Sequence, residues 1–194
     1  MSAPMVRAIL AGTKTQTRRV VKPQPQMVTD RTIKPWDGDA DALLSLLTKT
    51  GKSCPYGQPG DRLWVREAFC DARKALLGRV LYRASGDVAC GWQPSIHMPR
   101  ELSRILLDVT AVRVERLQDI SEPDAKAEGV TTIWPDGPRD DGGPNHYTVD
   151  VDHGHLNGPT AATVYRMLWE WINGEGSWDA NPWVWVVQFK RVTP

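Results

Sequence analysis

The chain lacks the cysteine pattern of a stapled or metal-bound domain. Its three cysteines (Cys54, Cys70 and Cys90) are odd in number and show no CxxC spacing, which argues against a disulfide scaffold and against a zinc ribbon. A membrane segment is missing too, because no stretch approaches the ~20 apolar residues that span a bilayer. The apolar run within residues 1–10 is too short for a secretory signal. A soluble, cytoplasmic protein is therefore expected, with no membrane partner and no obligatory protein partner. There are no internal repeats. A strong overall field is absent as well: 24 Lys/Arg stand against 23 Asp/Glu, a net charge of +1.

Acids are scarce at the N-terminal end. Residues 1–35 hold seven cations (Arg7, Lys14, Arg18, Arg19, Lys22, Arg31 and Lys34) against the single acid Asp30. Such an end permits an anionic partner, RNA or a nucleotide, and a plain solvated surface has the same composition. Residues 129–160 are the reverse, with five Asp (136, 140, 141, 150 and 152) against Arg139. What the chain does have is a hydrophobic share of 41%, enough for a core. Its 194 residues fit one domain with insertions.

The polar residues are densest in Ile9-Leu10-Ala11-Gly12-Thr13-Lys14-Thr15-Gln16-Thr17-Arg18-Arg19. Pro4–Ala11 has helical spacing, with Val6, Ile9 and Leu10 on one face. Gly12 is the expected stop, since glycine takes positive φ at little cost. Thr17–Lys22 then reads as a strand, ended by Pro23 and Pro25. Lys14 and Thr17 converge only if Lys14 is still in the turn after Gly12. A lysine beside a threonine hydroxyl points to an activated nucleophile, provided burial lowers the lysine pKa.

Further along, residues 23–37 read as a proline-rich loop and Asp39–Lys49 as a short amphipathic helix. Pro59-Gly60 signals a type II turn, and the Leu63/Val65 and Trp64/Arg66 alternation signals a strand. Arg79–Arg83 and Ile105–Leu117 are further strands. Ser121 N-caps a helix that ends near Glu128-Gly129. Residues 130–158 read as a long irregular insertion, Pro159–Asn173 as a helix, and Trp183–Val192 as a closing strand. Four or five strands in β-rich α+β order suit a small barrel or curved sheet better than a doubly wound fold. Glu128 is an acid at a helix C-terminus, where the dipole disfavours it, so a cation is expected to hold it. Glu67, at its strand's end, is a second candidate acid.

Taken together, Ile9–Arg19, the Pro59-Gly60-Asp61 turn with its strand, the strand leading into Leu117–Gly129, and the last strand around Trp185–Phe189 resemble ASCH-domain proteins. These are a branch of the PUA-like superfamily, whose larger tryptophan-rich members occur in phages and prophages. The resemblance rests on residues 5–22, 57–69, 79–84, 105–129 and 183–192. It implies a single α+β domain over 1–194, a small PUA-like β-barrel with flanking helices and insertions at about 23–56 and 130–158. Small bacterial members are amidohydrolases acting on N4-acetylcytidine through a Gly-x-Lys-x-x-Thr run and a glutamate after a short helix. In this chain the matching positions are Gly12, Lys14, Thr17 and Glu128. The implied roles are a nucleophile or water-positioning hydroxyl for Thr17, a base or oxyanion donor for Lys14, and an orienting or relaying acid for Glu128. Arg19, Glu67 and Trp64 are the expected substrate contacts. No metal or cofactor is expected, and the expected partner is a modified cytidine nucleoside or RNA.

Two other readings compete. The basic end and the PUA-like resemblance also suit an RNA-binding module or a ribonuclease without amidohydrolase activity. A phage protein that binds a host factor through loop 130–158 is the third. The nine tryptophans are mostly expected in the core, with one or two free to stack on a base. Trp178 and Trp183 flank a turn at 179–182 that is placed to overhang a cleft. The Asp150–His155 run has metal-type residues without a metal scaffold's spacing, and His97 reads as a structural histidine.

Overall fold

The computed structural model describes residues 1–194 except 30–31, 74–77, 90, 134–145 and 193–194. Cys90, Asp30, Arg31, Asp136, Arg139, Asp140 and Asp141 thus lie outside the described residues. In chain order the elements are α1 (Ala3–Leu10), β1 (Gln16–Val20), β2 (Gln26–Thr29), β3 (Thr32–Pro35), α2 (Ala40–Lys49), β4 (Arg62–Trp64), β5 (Phe69–Ala72) and β6 (Arg79–Tyr82). They continue with β7 (Leu106–Arg116), α3 (Glu122–Ala127), β8 (Thr131–Thr132), β9 (Tyr147–Val151), β10 (Gly154–Gly158), α4 (Ala161–Asn173) and β11 (Trp183–Arg191).

The fold is mixed α+β. Its centre is a four-stranded sheet in the order β1-β11-β7-β4, antiparallel throughout. The sheet curls as half a barrel, with β1 and β4 as its edges. The C-terminal strand is therefore not a closing edge. β11 runs through the middle, paired to β1 over Gln16–Val20 and to β7 over nearly its whole length. This position explains why Trp183–Val187 are all buried. Val184 and Val186 face one cluster, with Leu117, Val164 and Leu168. Trp183, Trp185 and Val187 face the other, with Leu43, Leu47 and Val114.

Two segments read from the sequence as irregular contain strands among their described residues. β2 and β3 pair antiparallel and are largely exposed. The region 130–158 contains β8, β9 and β10 in one antiparallel sheet, and Val149 on β9 is in the core with α4. The Asp150–His155 run is the turn of the β9–β10 hairpin. β5 gave no clear sequence signal; it pairs with β6.

Both helices that lead to the polar cluster stop in the same way. After α1, Gly12 has φ +77. Its N–H donates to Ile9 O at 3.1 Å, and Thr13 N–H donates to Ala8 O at 3.0 Å. After α3, Gly129 has φ +104; its N–H donates to Lys126 O at 2.8 Å, and Val130 N–H to Ala125 O at 3.3 Å. Each is a Schellman stop, which needs a left-handed residue just beyond the helix. The two stops lie side by side. Thr15 N–H donates to Ala127 O at 2.8 Å, and Lys14 and Glu128 form a backbone bridge.

Candidate active site

The bridge brings Lys14 and Glu128 together although 114 residues separate them. Lys14 Nζ donates to Glu128 Oε2 at 2.7 Å and to Glu128 O at 2.9 Å. Lys14 is 5% exposed and Glu128 3%. Burial lowers the Lys14 pKa from its ordinary 10.5, against the raising effect of Glu128, and Arg19 and Arg18 add repulsion in the same lowering direction. A charge taken out of water favours its neutral form unless its partners compensate fully. The cation expected to hold Glu128 is therefore present twice, since Arg18 Nη1 also donates to Glu128 Oε1 at 3.4 Å.

Arg18 is the part of the site that the sequence did not disclose. It is 1% exposed. Its Nε donates to Glu115 Oε1 at 3.0 Å, Nη2 bonds the same oxygen, and Nη2 lies 3.4 Å from Asp124 Oδ2. Arg113 closes the ring of charges, with Nε 3.0 Å from Glu115 Oε2 and Nη2 3.0 Å from Asp124 Oδ1. Three basic side chains (Lys14, Arg18, Arg113) thus face three carboxylates (Glu115, Asp124, Glu128). The available signal was strand parity. Gln16 and Arg18 occupy the buried positions of β1, whereas Arg19 is exposed.

These groups line one side of a cavity of about 260 Å³. Lys14, Thr17, Arg18, Arg19 and Glu128 make its polar end. Met5, Leu168, Trp169 and Ile172 make an apolar wall, and Tyr165 stands between the two. Lys14 and Thr17 therefore share one cavity, as the turn after Gly12 allows. The hydroxyl of Thr17 has no hydrogen-bond partner among the described residues. Of the expected substrate contacts, only Arg19 lines this cavity; its guanidinium donates to Arg18 O at 3.1 Å. Glu67 and Trp64 stand elsewhere. Glu67, 1% exposed, is clamped by Arg104 at 2.8 and 2.9 Å, and Trp64 lies under the Arg66 guanidinium at 4.6 Å. Trp183 is a core residue beneath Arg116, and Trp178 packs edge-on against Tyr165.

A polar cluster at one end of a small, partly apolar cavity is the usual form of a small-molecule site. Among the described residues, no group of three or more His, Cys, Asp or Glu is placed to hold a metal ion. No helix among them is long and apolar enough to cross a membrane. The chain matches no protein-family model, no curated protein and no solved structure. Fold and site define an α+β protein with a buried lysine–glutamate pair at the polar end of a cavity of about 260 Å³.

Proposed function

We propose that this cavity is the active site of an amidohydrolase that removes the acyl group from N4 of acylated cytidine. The supporting observation is the bonding of Lys14. A neutral amine has two N–H groups, and both are matched by the two Glu128 oxygens. Its lone pair is then left for the cavity, where the Thr17 hydroxyl is also found. That is the arrangement of an activated nucleophile beside a desolvated base. The Gly12-x-Lys14-x-x-Thr17 run and Glu128, which resemble the ASCH-type amidohydrolase pattern, point to the same chemistry. At about 260 Å³ the cavity is slightly smaller than the about 300–1,000 Å³ of typical small-molecule pockets, a size that suits a small ligand.

The reaction runs in two halves. Thr17 Oγ1 attacks the acyl carbon and passes its proton to Lys14 Nζ. The C–N4 bond then breaks, N4 takes that proton, and cytidine leaves with a free amine. Water next attacks the threonine ester, again through Lys14, releasing the carboxylate and restoring Thr17. Glu128, fixed from the other side by Arg18, holds the lysine in place and stabilises its charged form between steps.

Incubating the purified protein with N4-acetylcytidine and following cytidine release tests this reading. Turnover is expected, with Lys14→Ala slower by about 10²–10⁴-fold, the usual worth of a positioned base. An inert wild type, or equal turnover by Lys14→Ala, overturns it. Salt-sensitive RNA binding without turnover would point to the RNA-binding reading instead.

A further inference from the structure

We infer that Tyr165 is a further catalytic residue of this cavity: its phenol hydroxyl donates a hydrogen bond to the scissile carbonyl oxygen as that oxygen becomes negative. The inference rests on the amidohydrolase reading above and assigns a role that reading leaves empty. Neutral Lys14 has both N–H groups on Glu128, and the proton it takes from Thr17 is spent on N4, so a separate donor for the oxyanion completes the site.

Tyr165 is 3% exposed and lines the cavity with Lys14, Thr17 and Glu128. Its hydroxyl has no hydrogen-bond partner among the described residues. Buried tyrosine hydroxyls normally find one, as Tyr82 does by donating to Leu102 O at 2.9 Å. The Tyr165 hydroxyl is not one of the enclosed unpartnered atoms; it opens into the cavity, where a ligand oxygen can replace water as its acceptor. Trp169 Nε1, one helical turn on, is also unpartnered, but it is fully enclosed and cannot reach a ligand.

The ring is fixed on three sides. The Arg18 guanidinium lies 5.7 Å from its centroid, Trp169 packs at 6.3 Å and Trp178 edge-on at 6.4 Å. A donor held in place before the reaction needs no reorganisation when charge develops, and this makes oxyanion donors effective. The phenol also keeps its proton. Burial pushes its pKa well above the ordinary 10, and the Glu128 charge adds to this against Arg18 and Arg19. As Thr17 Oγ1 bonds to the acyl carbon, the carbonyl π pair moves onto oxygen and Tyr165 Oη–H bonds to it without transferring its proton. When the pair returns, the C–N4 bond breaks, and N4 takes its proton from Lys14.

The test compares N4-acetylcytidine with its thioamide, N4-thioacetylcytidine, whose sulfur is a weak acceptor. With wild type and Tyr165→Phe, kcat and KM are measured on both. On the oxo substrate the variant is expected to lose about 10²–10³-fold in kcat, the worth of one oxyanion donor, with KM nearly unchanged. On the thioamide that loss is expected to shrink to a few-fold. An unchanged kcat, or an equal loss on both substrates, overturns the inference. Wild type alone gives a second reading: its oxo/thio rate ratio is expected to exceed that of hydroxide hydrolysis, and a ratio no larger overturns the inference without any variant. A wild type inert on both substrates would instead refute the amidohydrolase reading itself, and the role of Tyr165 with it.

Discussion

Arg18 bears the greatest electrostatic load in the site, because one guanidinium serves Glu115, Asp124 and Glu128 together. Replacing it with methionine leaves three carboxylates against Lys14 and Arg113. Breaking a buried pair on one side costs about 3–5 kcal/mol, and the lower end applies here because Glu115 and Asp124 are partly exposed. Urea unfolding of Arg18→Met is expected to show that loss. Arg18→Lys is expected to recover little, since a point-like ammonium cannot span oxygens that a planar fork reaches. Full recovery by lysine would show that charge alone is at work. This residue also marks the limit of the sequence. Lys14, Thr17 and Glu128 were singled out by a helix stop, a hydroxyl and an ill-placed acid together with the family resemblance, and the structure places all three on one cavity. Arg18 and Arg19 are adjacent and chemically identical in the sequence. Strand parity separates them, but which parity faces inward is set by the place of β1 beside β11. The place of Glu67, apart from this cavity, was hidden for a similar reason, because its partner Arg104 lies 37 residues away.

At the level of elements, the site depends on two helix ends more than on any strand. Gly129 holds φ +104, and a Cβ there would meet the Cβ atoms of Ala8 and Lys14 at an ordinary 3.5 Å. The cost of Gly129→Ala is therefore conformational rather than steric, about 1–3 kcal/mol for a residue held in a disfavoured region. Relief of that strain rotates the end of α3, and Glu128 is the last residue before it. The variant is expected to lose kcat on N4-acetylcytidine by more than its KM changes, alongside the loss in melting temperature. A destabilised variant with wild-type kcat would separate the stop from the chemistry. Helices and their stops were legible because capping is local: Gly12, Ser121 and Gly129 act within a few residues of themselves. The sheet was less legible. β9 and β10 come from a stretch rich in Gly, Asp and His, and they are ordered by burying Val149 against α4. β11 was legible as a strand, but not as the central one. That position depends on its long pairing with β7, which no local pattern encodes.

Across the whole molecule, near-neutral charge hides a strongly charged interior, and pH brings it out. Lys14 has a folded pKa below its ordinary 10.5. Between those two values the unfolded chain binds a proton that the folded chain does not, so stability rises with pH through that window. Below the folded pKa both states are protonated, and the full cost of the buried charge is present. Other groups titrate nearby: burial raises the Cys54 thiol above 9.0 and lowers the Met1 amine below 8.0. The informative quantity is therefore the stability of wild type minus that of Lys14→Met, measured by urea unfolding at several pH values up to 9. That upper limit stays about one unit below the ordinary tyrosine value, so Tyr165, whose folded pKa is raised, is largely protonated in both states. The contributions of Cys54 and Met1 cancel in the difference. The difference is expected to shift toward wild type as pH rises through the window. If it is flat, Lys14 stays charged in the folded protein throughout, and the base role proposed for it is overturned.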